Sequence, residues 1–365
     1  MVMGNRPEVR TAPAPIALVD VVGLAQQSIN ALARVPFRRP WQGAGTLMGN
    51  LGASVTREVV RTFMGYSSSL PIEEFRSIEL LLDSLCGLVM PPVVSALDVD
   101  TEEASVGGVP GIWYRPRAGR PPATILYLHG GGYIGTSPRM YAYFTATLAR
   151  ETGCEVFVAD YRLAPEFPFP TDVEDALRVL EALVADGIEP DRIFLAGDSG
   201  GGGVASTAML TLVRSAIGQV PGGMILFSPE VDLKLDEPSV TENASFDVLP
   251  WNIPTSAYLH GFDASSEFVS PVNANLRGYP PTFVAWGDEE MFRDPIRRFV
   301  ERLAEAGVDH VAMEEQGMFH VFPILMPWAD QSRRVYRAVR DFVHHRLPGV
   351  VSTTPLVGPL RSPAR

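Results

Sequence analysis

Two rhythms of apolar and polar residues divide the chain. In Ile16–Arg34, Thr46–Met64 and Pro71–Met90 the apolar positions recur at intervals of three and four. That spacing predicts three amphipathic helices, separated by Pro36, Pro40-Trp41 and Tyr66-Ser67-Ser68-Ser69. No strand pattern interrupts residues 16–98.

From Gly108 onward, short β-branched and aromatic runs alternate with helix-length segments. The predicted strands are Ile112-Trp113-Tyr114, Thr124–Leu128, Val156–Ala159, Ile193–Ala196, Met224–Phe227, Thr282–Trp286 and His310–Glu314. Helices are expected near Arg139–Glu151, Thr171–Ala185, Gly201–Ile217, Pro295–Ala306 and Gln331–Arg346, with Pro229–Asn275 as a longer insertion. Such alternation predicts an α/β fold, a mainly parallel sheet covered by helices. Residues 1–15 and 348–365 are Pro-rich or lack periodicity and are expected to be disordered. Between them lie a helical region, 16–100, and an α/β domain, 101–347, interrupted at about 231–268.

Composition narrows the function classes. The 365 residues are 46% hydrophobic and 20% charged, enough to bury a large core. Net charge is −12 and no Lys/Arg run occurs, which argues against nucleic acid as a partner. Lys234 is the single lysine, so a phosphate-binding G-x-x-x-x-G-K loop and a lysine Schiff base have no residue to use. Cys86 and Cys154 lack C-x-x-C or Cys/His spacing, so neither zinc nor a disulfide framework is expected, and the location expected is cytoplasmic. Met1–Pro15 has no basic segment feeding an apolar one, so no secretory signal is expected. The longest uncharged apolar run, Ser84–Leu97, contains Pro91-Pro92 and is shorter than a bilayer crossing needs. No transmembrane helix is expected.

The chemistry is carried by two glycine-rich turns. Ile193–Ala196 runs into Gly197-Asp198-Ser199-Gly200-Gly201, a G-x-S-x-G between a strand and a helix. A serine raised on a strained turn needs neighbours without side chains, and the glycines supply them. Upstream, Leu126-Tyr127-Leu128 leads into His129-Gly130-Gly131-Gly132. Such a loop aims bare backbone N–H groups at a tetrahedral oxyanion, with Gly131, Gly132 and Gly200 as the expected donors. His129 is read as loop support rather than as a proton carrier.

With these motifs in view, the chain resembles the hormone-sensitive-lipase family of α/β-hydrolases. The matching residues are His129–Gly132, Asp160-Tyr161-Arg162-Leu163-Ala164-Pro165-Glu166 and Gly197–Gly201, together with Ser228–Leu233 and Gly317-Met318-Phe319-His320. The resemblance extends from about Gly108 to Arg346 and implies an α/β-hydrolase fold with a helical cap, the cap being the N-terminal helices and the insertion. One departure is Gly200, where the family usually has alanine. In the family Asp160, Arg162 and Glu166 brace the sheet and loops; Asp198 is also read as structural.

The serine needs a base, and chain order in this fold is serine, acid, histidine. Of six histidines, His129 precedes the serine, His260 precedes any acid, His310 enters a strand and His344-His345 end a terminal helix. His320 remains. The acid must follow Thr282–Trp286, where Asp288, Glu289 and Glu290 are consecutive. Setting the second aspartate of the family's D-P-L-x-D motif on Asp294 puts the acid at Glu290, with Asp288 as the alternative.

The expected activity is a serine carboxylesterase or lipase acting on neutral, hydrophobic esters of short to medium acyl chain, with no metal or organic cofactor. Alternatives are deacetylation of a sterol-like or other bulky alcohol, an amidase using the same triad, or a non-catalytic small-molecule receptor on this fold. The apolar stretch Ile16–Arg34, followed by Arg38-Arg39 and Trp41, adds peripheral lipid contact as an expectation.

Overall fold

The structure, a computed structural model, describes residues 10–38, 45–119, 122–215, 219–250 and 255–347. Residues 1–9, the tail 348–365, Arg39 and Trp41 lie outside the described residues.

Three helices open the chain: α1 (Ala14–Arg34), α2 (Leu47–Ser67) and α3 (Ile72–Ser95). α1 begins inside the stretch expected to be irregular, and Ala12 N before it already bonds Glu73 O at 3.1 Å. α2 starts where Thr46 Oγ1 accepts from Gly49 N at 3.1 Å, an N-cap bond that the sequence supports. α3 runs through Pro91-Pro92 instead of stopping at Met90. Both prolines and the carbonyl residues they would have bonded, Gly87 and Leu88, are exposed, so the carbonyls left without a helix partner are not sealed in a core.

By length and hydropathy, two helical segments, Ala14–Phe37 and Ile72–Ser95, are apolar enough to cross a membrane. The expectation of no membrane-crossing helix was drawn from uncharged runs and did not weigh these two, and length and hydropathy alone do not place either of them in a membrane.

Eight strands follow: β1 (Val99–Val106), β2 (Val109–Pro116), β3 (Thr124–Leu128), β4 (Glu155–Ala159), β5 (Ile193–Asp198), β6 (Gly223–Phe227), β7 (Thr282–Gly287) and β8 (His310–Glu315). They form one sheet in the order β1-β2-β4-β3-β5-β6-β7-β8. β2 is antiparallel to both β1 and β4, and the pairs from β4 through β8 are parallel. β1 was not predicted. Its middle is acidic and exposed on both faces, so no alternation shows, although the Gly107-Gly108 turn with positive φ at both residues marks a hairpin.

The central strands β3, β5, β6 and β7 are buried on both faces, which is why they read as continuous apolar runs. One core lies under α5 (Thr171–Ala185), α6 (Ser199–Ser215) and α7 (Arg293–Glu305). The second lies under α4 (Ala142–Thr152) and α8 (Asp330–Arg346).

The N-terminal helices lie over the carboxyl ends of the strands. Arg76 of α3, 4% exposed, bonds Glu166, Ala164 O and Ile134 O, all in loops that follow β3 and β4. Arg57 of α2 bonds Glu289 at 2.9 Å, in the loop after β7. In open α/β sheets this end is where ligands bind.

Candidate active site

β5 ends at Asp198, and the chain turns so sharply into α6 that Ser199 adopts φ +51°. A non-glycine residue in that region is strained, and the strain lifts the side chain off the sheet. The turn is possible because other atoms occupy the space that side chains would fill. A Cβ at Gly201 would collide with the backbone oxygens of Leu128 and His129, and one at Gly130 with Asp198. The elbow and the His129–Gly132 loop are therefore in direct contact. Ser199 is only 6% exposed, so the hydroxyl sits beneath covering residues rather than open to solvent.

Gly131 at φ +118° and Gly132 at φ +61° give the loop a backbone that side-chain-bearing residues rarely take. His129 is fully buried, its Nδ1 2.8 Å from Thr136 Oγ1 and its ring stacked on Tyr161 at 4.6 Å. Burial lowers its pKa. The histidine holds its own loop and does not face Ser199 Oγ with any bond.

Asp198 ties the same loop down. It accepts from Gly130 N at 3.0 Å, Tyr127 OH at 2.8 Å and Tyr141 OH at 2.9 Å. Burial nonetheless pushes this carboxyl up to about 7. The two tyrosines carried no signal in the sequence beyond being aromatic on apolar segments.

Across the sheet, the loop after β8 carries His320, 2% exposed, with Nε2 2.9 Å from Ser199 Oγ. Its ring lies edge-on to Phe292 at 5.0 Å. Of the three consecutive acids after β7, Glu290 is the one that reaches it: Oε2 lies 3.8 Å from His320 Nδ1. That is longer than a hydrogen bond, and both Nδ1 and Glu290 Oε1 are buried without a partner. Ligand-free sites commonly hold such contacts long, and they tighten when substrate binds. Burial disfavours charge on both groups, lowering the pKa of His320 and raising that of Glu290.

The other candidates lie elsewhere. Asp288 Oδ1 accepts from Gly317 N at 2.6 Å and so joins the acid loop to the histidine loop without touching the imidazole. Glu289 pairs with Arg57. His310 bonds Val308 O, His344 bonds Thr152 O, and His260 is exposed at a helix end.

Sequence reading placed Ser228 in the matching segment Ser228–Leu233 but gave it no role. At the end of β6, with φ +43°, its Oγ donates to Glu290 Oε2 at 2.6 Å and accepts from Val321 N at 3.0 Å. The signal was its place: a serine before proline where a parallel strand ends beside the acid.

Among the described residues no group of three or more His, Cys, Asp or Glu is arranged to hold a metal ion. The arrangement places a serine hydroxyl in hydrogen-bond contact with an imidazole, a carboxylate 3.8 Å behind that imidazole, and the His129–Gly132 loop against the serine turn.

Comparison with known proteins agrees with this geometry. The family model described as an α/β hydrolase fold matches residues 125–324. An acetyl-hydrolase of Streptomyces hygroscopicus is 33% identical over 243 residues, covering 66% of this chain and 81% of the relative. A carboxylesterase of Mycobacterium tuberculosis is 32% identical over 225 residues, covering 57% and 70%. Among solved structures, an esterase from the bacterial hormone-sensitive lipase family superposes with a TM-score of 0.71 at 30% identity, covering 80% of this chain and 98% of that one.

Proposed function

The chain belongs to the hormone-sensitive-lipase family of α/β-hydrolases and is a carboxylic-ester hydrolase, and from that premise we propose that Ser199, Glu290 and His320 carry the reaction on neutral, hydrophobic esters of short to medium acyl chain. The single observation that carries the assignment is the 2.9 Å contact between His320 Nε2 and the oxygen of a serine held at positive φ.

In this reading Ser199 Oγ attacks the acyl carbon as its proton passes to His320 Nε2. Negative charge develops on the carbonyl oxygen, where the Gly131, Gly132 and Gly200 amides receive it without reorganising. The tetrahedral species collapses, the C–O bond to the alcohol breaks, and His320 returns the proton to the leaving oxygen. Water then enters, gives its proton to His320 and attacks the acyl-enzyme. A second collapse releases the carboxylic acid and restores Ser199. Glu290 stabilises imidazolium during both halves and fixes the tautomer that leaves Nε2 free to accept. Ser228 orients the Glu290 carboxylate through its 2.6 Å bond.

A neutral substrate fits the charges near the site. The α2 arginines are committed to the protein, Arg57 to Glu289 and Arg61 to Asp247 O, which leaves neither to receive a substrate carboxylate. The test is purified Ser199→Ala against a p-nitrophenyl ester series from acetate to palmitate. The expected outcome is loss of turnover with the fold intact, and a native preference for butyrate over palmitate. Unchanged turnover in the variant removes the triad, and preference for palmitate removes the chain-length assignment alone.

A second reading, contact with a lipid surface, rests on α1 and α3. Leu18, Val19 and Val22 on α1 and Leu81, Leu85 and Leu88 on α3 are exposed, an unusual amount of apolar surface for two neighbouring helices.

A further inference from the structure

The insertion does more than cover the sheet. Within it, Ser239, Asn243 and Asp247 are spaced four residues apart, and all three bond the loop that carries the acid. Ser239 Oγ donates to Met291 O at 2.7 Å, and Asn243 Nδ2 donates to Glu290 O at 2.9 Å. Asp247 reaches further than the other two. Its Oδ2 accepts from Met291 N at 2.6 Å, while its Oδ1 accepts from His320 N at 2.9 Å and from Val248 N at 2.7 Å. A single fully buried carboxylate therefore holds the residue after Glu290 and His320 itself.

The backbone of Asp247 is in turn held from outside. Arg61 of α2 donates to Asp247 O at 2.6 Å, and Arg57, one turn earlier, lies over the Phe319 ring at 5.4 Å and bonds Glu289.

We propose that Asp247 is a positioning residue for ester hydrolysis: it sets the separation of Glu290 and His320 by seating both loops on one carboxylate, and α2 holds it in place. The inference rests on the triad reading above. Its physical lever is the 3.8 Å gap between Glu290 Oε2 and His320 Nδ1, which a shift of less than an ångström between the loops closes or widens. All three partners of the carboxylate are N–H donors. An asparagine there must turn its own NH₂ either toward Met291 N or toward His320 N and Val248 N, so one loop is released and pushed away.

The experiment compares native enzyme, Asp247→Asn and Arg61→Met. Reactive serines are first counted with a p-nitrophenyl alkylphosphonate, then kcat and KM are measured on p-nitrophenyl butyrate. Each variant is expected to label one serine per chain. For Asp247→Asn, kcat per labelled serine should fall by about 100-fold with KM unchanged, the signature of misplaced reacting groups. Arg61→Met should lose several-fold in kcat, again at constant KM. A purely structural Asp247 would lower the labelled fraction and the melting temperature while leaving kcat per labelled serine native, and that result overturns the proposal. If Asp247→Asn does not fold, a native kcat in Arg61→Met overturns it instead. Failure of the triad reading looks different: the phosphonate would then label Ser199→Ala as well as the native chain.

Discussion

Two neighbouring acids, Asp288 and Glu290, divide the work at the end of β7, and substitution separates them. Glu290 stands behind the imidazole, whereas Asp288 bonds only the Gly317 amide. Glu290→Gln is expected to lower kcat by up to about 10⁴, the scale on which a serine triad depends on its acid. Asp288→Asn keeps an oxygen for the Gly317 amide and should cost far less. Measured kcat per titrated serine decides between them, and a crippled Asp288→Asn beside an active Glu290→Gln moves the acid by two residues. The elbow glycines differ just as sharply. A Cβ on Gly200 would meet Tyr133 N at 3.2 Å, tight but adjustable, whereas one on Gly201 would overlap two backbone oxygens that cannot move without the oxyanion loop. Gly200→Ala is therefore expected to stay folded and active, with helix propensity offsetting the contact by about 1 kcal/mol. Gly201→Ala should lose both soluble yield and turnover.

At the level of elements, α1 and α3 are the unusual part. Helix packing normally turns the apolar stripe inward, yet Leu88 on α3 is 76% exposed and Val19 on α1 is 68% exposed. The exposed face of α3 from Leu80 to Val93 offers no lysine or arginine, and the whole chain carries −12, so this face gives anionic headgroups nothing to attract. A lipid surface that holds this face must act through apolar burial. Flotation with neutral phosphatidylcholine vesicles is expected to carry the native enzyme upward, and Leu81→Glu/Leu88→Glu should stay at the bottom while hydrolysing p-nitrophenyl butyrate at the native rate. Native enzyme that does not float removes the lipid reading and leaves the catalytic one untouched.

Across the whole molecule, buried carboxyls set how stability depends on pH. Burial pushes Asp172, Asp198 and Glu79 up to about 7 and Glu230 up to about 8. In the unfolded chain such groups ionise near pH 4, so between the two values the fold holds protons that the unfolded chain has lost. Their contribution is fully present below the unfolded values and is lost as pH rises through 7 to 8. His129 and His320, whose pKa values burial lowers, act in the opposite sense only below about pH 6.5. The melting temperature is accordingly expected to fall from about pH 6.5 to about pH 8.5. A flat or rising curve across that range would show that these carboxyls are ionised in the fold.

The sequence by itself determined the parts of this protein that follow from local rules. The parallel sheet was legible because strands buried on both faces must be apolar throughout, as in Thr124–Leu128 and Met224–Phe227. The turn at Ser199 and the His129–Gly132 loop were legible because only glycine tolerates such close backbone approach, and His320, 2.9 Å from Ser199 Oγ, was singled out by chain order. Tertiary structure alone decided what depends on distance. Three acids in a row, Asp288, Glu289 and Glu290, have the same local chemistry, and only the loop's path after β7 brings one of them to the imidazole. Ser228 and Asp247 lie 92 and 73 residues before His320, with no periodicity to mark them, and they matter because the end of β6 and the middle of the insertion lie beside the same loop. Edge strand β1, wet on both faces, left no apolar pattern to read and took its conformation from its pairing with β2.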